Sequence, residues 1–304
     1  MAPLDQTTIQ SAHGARQKAT GPRYAGRHRG CGADGLPVGR PPWRCSPVSA
    51  VPADPALLPP RFPFDWACDW GEDRYGPWVA FRAAGVRQAL RWVPTGSFQG
   101  ERAHRTILTR GLWRADTACT QALWQAVMGG NSSRCEGPER PVERVSWDDS
   151  IAFLERLNAL VPGLDARLPT ECEWEHACRA GTETAFWFGD AIHTDQVNYD
   201  GNYPTGGAPK GQYRKQTVDV TALPCNAWGL YQMHGNVWEW CQDRYGELPD
   251  SELRDYQGPD AGDGRVCRGG SWVNHAVGCR SGQRDRWRPG NRDGDRGFRL
   301  ARGP

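Results

Sequence analysis

Apolar and polar positions begin to alternate in short, regular runs at about Phe62; residues 1–60 show no sustained period of 2 or 3.6. "VRQALRWV" (Val86 to Val93) reads as a strand, and "PTGSF" turns it into the next segment. "RTILTRGLWRADTACT" predicts a further strand pair with turn residues between. Three helices follow, each marked by a cap. Thr120 precedes "QALWQAVMGG", where Leu123 and Val127 share a face and Gly129–Gly130 stop it. Ser146 with Asp149 three residues on opens "WDDSIAFLERLNAL", with Ile151, Leu154 and Leu157 or Asn158 at helical spacing. Thr170 with Glu173 opens "ECEWEHACRAG", placing Trp174, Ala177 and Cys178 inward and ending at Gly181.

From there to the end the pattern is short strands, glycine turns and tryptophans. Helices first and irregular β-structure after predict an α+β domain with much loop, over residues 61–304. Residues 1–60, with "GADGLPVGRPPWRCSPVSAVPADPALLPPR", read as a poorly packed basic arm, rich in Pro and Gly.

Composition narrows the function classes. A formal net charge of +2 gives no whole-protein pull towards nucleic acid or membrane. The 15 Trp, against 8 Phe and 8 Tyr, predict a core laced with hydrogen bonds, because each indole N–H needs a partner. No apolar run approaches the ~20 residues that span a bilayer, and the N-terminus lacks the apolar stretch of a secretory signal. The 11 Cys form no C-x-x-C pair, so reduced thiols and a cytoplasmic location are expected.

Candidate chemistry is sparse. Glu171, Glu175 and His176 lie on or near one helical turn, and Glu173–His176 has the i,i+3 spacing of carboxylate metal sites. Such sites need a matching second helix, so a surface helix carrying salt bridges is expected instead. No nucleophile elbow, P-loop, dinucleotide fingerprint or H-E-x-x-H is present. In "NAWGLYQMHGNVWEWCQDRYG" (Asn226 to Gly246), Trp228, Trp238 and Trp240 surround Glu239 in a Gly-broken stretch. Converging carbonyls and one carboxylate can hold a hard cation; the plainer expectation is that Glu239 caps backbone N–H groups. The closing stretch, Arg268 to Pro304, offers little to a core beyond Val277, Trp287 and Phe298–Leu300.

Three motifs, "RLPTECEWEHACRAG", "NAWGLYQMHGNVWEW" and "RVCRGGSW…CRSG…GFRLAR", occur in order. Together they resemble the formylglycine-generating-enzyme (sulfatase-modifying factor) family, from about Phe62 onward. The resemblance implies a large, loop-rich variant of the C-type lectin fold. It does not imply activity, since the family includes non-catalytic members. Its catalytic members hold copper with two cysteines, which fall here on Asn274 and Cys279. Soft Cu(I) needs thiolates, and an amide cannot replace one, so copper is not expected and Cys279 reads as a buried thiol. The family's calcium loop carries over to Gln232, Gly235, Val237 and Glu239, implying a structural calcium. A second family site would begin at Asn198 and Tyr199, without an evident acidic partner near Gln212–Tyr213.

The ending is similar to another branch of this fold, the variable proteins of diversity-generating retroelements. Their terminal segment runs from "RGGSW" to "GFRL", keeping scaffold positions and diversifying others by adenine mutagenesis. That resemblance makes Gly269, Gly270, Trp272, Arg280, Ser281, Arg284, Gly297, Phe298 and Arg299 scaffold within a variable segment 268–304. It makes Val273, Asn274, His275, Gly278, Asp285, Asn291, Gly294 and Asp295 displayed, diversified positions, with Trp287 a rigid contact. Gln283 and Trp287 are not reachable from an Asn codon by adenine changes. The alternating charges of "RDRWRPGNRDGDR" suggest internal ion pairs.

The expectation is a non-catalytic binding protein whose partner is a protein or other macromolecule, without membrane contact. A copper oxidase using Cys279 is the runner-up, a regulatory module acting through the basic arm a third class. Within the binding class, nucleic acid ranks behind these partners for want of stacking residues.

Overall fold

The computed structural model describes Pro59 and residues 62–101 and 104–303. The arm expected over residues 1–60 therefore lies, Pro59 apart, outside the described residues. Among those described there are thirteen strands and three α-helices.

The chain enters through a meander, β1 (Asp69–Asp73), β2 (Gly76–Ala83) and β3 (Val86–Val93). β4 (Gly96–Gln99), β5 (Arg105–Leu108) and β6 (Leu112–Ala115) follow. Helices α1 (Gln121–Met128), α2 (Trp147–Leu160) and α3 (Glu171–Arg179) come next, with β7 (Ala166–Arg167) between the last two. The rest is β8 (Trp238–Arg244), β9 (Leu253–Arg254), β10 (Arg265–Arg268), β11 (Arg284–Trp287), β12 (Arg296–Phe298) and β13 (Ala301–Arg302). A short 3-10 helix, Ala276–Cys279, breaks the run before β11.

The expected caps form. Thr120 accepts from Leu123 N, and Gly129 ends α1 in the left-handed region. Ser146 with Asp149 and Thr170 with Glu173 close reciprocal capping boxes on α2 and α3. After α3 both Ala180, the cap, and Gly181 take positive φ, at +46 and +87.

Three sheets are built. Strands β1-β2-β3-β6-β13-β7 form one, β11-β10-β8-β12 a second and β4-β5-β9 a third. β13 sits inside the first sheet, antiparallel to both β6 and β7. β12 lies parallel to β8, so the closing residues stitch two sheets together. The main core lies between the six-stranded sheet and helices α1 and α2, where Trp124, Phe153 and Phe298 meet ring to ring at 5.2–6.0 Å. This is an α+β, loop-rich fold of the C-type-lectin-like kind.

Two expectations change. Helix α3 is not a surface helix: Glu171, Glu175 and His176 are buried. Glu171 pairs with Arg268 and Arg284, while Glu175 pairs with Arg179 and Arg268. Tertiary arginines from β10 and β11, invisible to local pattern, turn a polar helix into a core element. Glu239 does not cap backbone N–H groups either. It lies on β8, and its Oε1 accepts from Arg299 Nε and Nη2 at 2.8 and 2.7 Å. Its Oε2 accepts from Arg114 Nη2 at 3.0 Å and Trp174 Nε1 at 2.7 Å. Burial pulls Arg114 down to about 10 against the pull of Glu239.

Removing a partner from a buried pair leaves an uncompensated charge. Glu239→Gln is therefore expected to cost about 3–5 kcal/mol, read as a lower urea midpoint at unchanged slope.

Candidate functional site

The segment between β10 and β12 carries the expected binding positions. It starts with Gly269 and Gly270, at φ +97 and +73. A Cβ at Gly270 would lie 2.6 Å from Gly278 O and 2.7 Å from Cys279 Sγ, so only glycine allows the turn to fold back this closely. The turn then stands on a small apolar cluster of Phe186, Ile192, Val197, Tyr199, Ala276 and Cys279.

Side chains split into two kinds. Val273, His275 and Val277 are exposed, with Val273 at 39% and Val277 at 51%. The His275 ring stacks on Tyr203 at 3.9 Å, and Tyr203 is itself 53% exposed. The Tyr203 loop is sewn to the turn by Asp200 N to Asn274 O (2.9 Å) and Ala276 N to Tyr203 O (3.1 Å). Val277, expected to serve the core, belongs to the display; Tyr203, 72 positions earlier than His275, was not nominated at all.

The other kind turns towards the scaffold, which corrects one nominated position, Asp295. Asn274 Oδ1 accepts from Ser271 N at 2.9 Å and Ser271 Oγ at 2.6 Å. Asp295 is buried and shares that same hydroxyl, at 2.8 Å. Gly294 presents its carbonyl to Trp272 Nε1 at 3.2 Å. Asn274, Gly294 and Asp295 thus brace the turn; Asp295 is buried, while Asn274 and Gly294 stay half-buried at its edge. Gly278 is half-buried and packs against Gly270.

Asp285, Trp287 and Asn291 lie further along. Asp285 accepts from Arg286 N at 2.7 Å and Trp287 Nε1 at 3.2 Å, while the Arg296 guanidinium covers the Trp287 ring at 3.5 Å. Asn291 is exposed. Of the suggested internal ion pairs, Arg296 makes two, with Asp293 and Asp295, while Arg284 and Arg292 reach out of the segment to Glu171 and Asp149.

Copper does not fit the residues present. Burial pushes the Cys279 thiol up to about 12, and its Sγ faces Ser271 O at 3.9 Å. The neighbouring His234 is committed at both nitrogens. Its Nδ1 must donate to Cys279 O at 2.8 Å, so Nε2 accepts from Trp187 N at 3.2 Å. Cys178 Sγ lies over the same ring at 3.7 Å. Among the described residues no group of three or more His, Cys, Asp or Glu could hold a metal. The nine cysteines described are all free thiols.

Calcium fits no better at the loop carried over by resemblance. Gln232 does bring a buried Oε1 without a partner, its Nε2 donating to Asp219 O at 2.6 Å. Gly235 and Val237 are buried beside it in sequence. Yet both Glu239 oxygens are already saturated by two guanidinium groups and an indole. A divalent cation there would face two fixed positive charges and would lack its one carboxylate. No described helix is long and apolar enough to cross a membrane.

Two measurements follow. Excess calcium or a chelator is expected to shift the unfolding temperature by less than about 1 °C, since no linked binding free energy is available. Burial lowers His234 and His176 to about 4. The unfolded chain takes up these protons near its ordinary value of about 6.5, so stability is lost as pH falls from there through about 4. Histidine ring proton shifts, followed by NMR, should stay those of the neutral ring down to that value.

The geometry agrees with the chain's relatives. Residues 80–304 match the sulfatase-modifying factor enzyme 1-like domain. The chain is 34% identical to the formylglycine-generating enzyme of Thermomonospora curvata over 198 residues, 60% of this chain and 62% of that protein. It is 32% identical over 160 residues to the Bos taurus protein named inactive C-alpha-formylglycine-generating enzyme 2, covering 52% of this chain and 47% of the other. The chain spans about half to three-fifths of the length of these curated relatives. Among solved structures, Treponema denticola variable protein 1 superposes with a TM-score of 0.67 at 29% identity, over 75% of this chain and 99% of that one. A Pseudomonas aeruginosa structure, PvdO, shares the fold with a TM-score of 0.58 at 21% identity, over 78% of this chain and 99% of that one. By the extent of the domain match, this chain belongs to the formylglycine-generating-enzyme, or sulfatase-modifying factor, family.

Proposed function

We propose that this protein is a non-catalytic binding member of the family, of the diversity-generating-retroelement variable type. Its ligand face is the turn Val273–Val277 together with Tyr203, and its ligand is a protein or other macromolecule. One observation carries the reading. Of the five large hydrophobic side chains exposed among the described residues, Tyr203, Val273 and Val277 lie on the two stitched loops around His275. Exposed apolar side chains on a backbone locked from beneath suit recognition, because little order is lost on binding.

The likeness to the Treponema variable protein supports this reading, as does the kinship with a relative named inactive. Against it stand the retained Cys279 and the kinship with formylglycine-generating enzymes, which favour copper-dependent oxidation of a substrate cysteine as the second reading.

The two readings separate cleanly. A library randomised at Tyr203, Val273, His275 and Val277 should keep its unfolding midpoint within about 0.5 kcal/mol while yielding binders to new targets. Asn274→Ala, which leaves the Ser271 N–H without its acceptor and its hydroxyl with Asp295 alone, should cost about 1–3 kcal/mol. Stoichiometric Cu(I) binding with turnover of a sulfatase-motif cysteine peptide, both lost in Cys279→Ala, would replace the binding reading with the oxidase.

A further inference from the structure

Beyond the apolar turn, the same segment builds a second and chemically different place. A cavity of about 580 Å³ opens where β8 and β11 end, lined among others by Tyr245, Asp263, Arg286, Arg288 and Asn291. Most arginines of the segment are neutralised: Arg284 by Glu171, Arg292 by Asp149, Arg296 by Asp293. Arg286 and Arg288 are exposed, and among the described residues neither has a carboxylate within ion-pair distance.

The surroundings reinforce that excess. Arg284 and Arg286 both lie against the Tyr245 ring, at 4.7 and 5.2 Å, and Glu171 answers only the first. Arg244 Nη1 holds Gly262 O at the rim, at 2.8 Å. The Asp285 carboxylate is held by Arg286 N and Trp287 Nε1 and pairs with neither guanidinium. Asp263 alone brings a negative charge into the lining.

Arg286, on β11, and Arg288, just beyond it, both line the cavity, and two long guanidinium side chains can close onto one carboxylate. We propose that this cavity is an anchor for an acidic side chain, an aspartate or glutamate of a protein ligand, clasped between Arg286 and Arg288. The inference rests on the binding function above and names the chemistry of its partner. Two guanidinium groups against Asp263 leave one net positive charge in the lining, which a single carboxylate neutralises. Tyr245 and Trp287 each already carry a guanidinium, which leaves base stacking poorly served.

The test uses the full chain and an octaglutamate peptide, followed by fluorescence anisotropy at low salt. The expected result is saturable binding, weakened about tenfold or more in the Arg286→Gln/Arg288→Gln double variant, the scale of losing charge-assisted pairs. Asp263→Asn should tighten it about two- to threefold by removing a repulsion. Arg110→Gln/Arg156→Gln, which deletes the same charge from exposed positions elsewhere, should leave it unchanged. No binding, an equal loss in the control variant, or no loss in the double variant would overturn the proposal. So would tighter, Arg286/Arg288-dependent binding of oligothymidylate or heparin, which would assign the cavity to phosphate or sulfate. The two readings fail separately. Binders selected from the Tyr203–Val273–His275–Val277 library that ignore the double variant would leave the binding function standing and remove the acidic anchor.

Discussion

The Glu239 carboxylate is the point on which the rest of the architecture depends. It sits on β8 of the four-stranded sheet and receives Arg114 from β6 of the six-stranded sheet, Trp174 from α3, and Arg299 from the link between β12 and β13. One side chain thereby joins two sheets, a helix and the closing residues. Bidentate geometry from Arg299 satisfies one oxygen and two separate donors the other, which is what lets so much charge lie dry. A second network repeats the solution next door, with Glu171 and Glu175 answering Arg179, Arg268 and Arg284. With most of the strands among the described residues five residues long or shorter, these ionic knots do the fixing that long ladders do elsewhere.

How much of this could be read from residues alone follows the range of each interaction. Caps are local, so Thr120, Ser146 with Asp149 and Thr170 with Glu173 placed all three helices, and alternation placed β3 residue for residue. The partners of Glu239 are 65, 125 and 60 positions away, beyond any pattern in its neighbourhood. Its flanking tryptophans marked the residue as important but pointed to backbone N–H or calcium. The same limit applies at the candidate site. Asn274 and Asp295 looked like display positions because they are polar in a loop, yet Ser271 binds both. Val277 looked like core because it is apolar, yet a 3-10 turn over Cys279 lifts it outward. Tyr203 could have been found only by knowing that its loop pairs with the turn.

The display and its support are therefore interleaved one residue at a time. Val273 faces out, Asn274 in, His275 out, Ala276 in, Val277 out, and Cys279 closes the turn from below. This near-alternation, outside any sheet, comes from the Gly269–Gly270 turn and the hydroxyl of Ser271, which together fix the backbone path. Recognition chemistry can then change without asking the core to repack, while the cavity beyond β11 presents two exposed guanidinium groups.

β13 is flanked by β6 and β7, so the edge strand β7 reaches the six-stranded sheet only through Ala301 and Arg302. Arg299, two residues before β13, supplies one of the two guanidinium groups on Glu239. Peeling this short stretch away would detach the edge strand and strip that guanidinium together, so both are expected to open as one cooperative unit rather than fray separately.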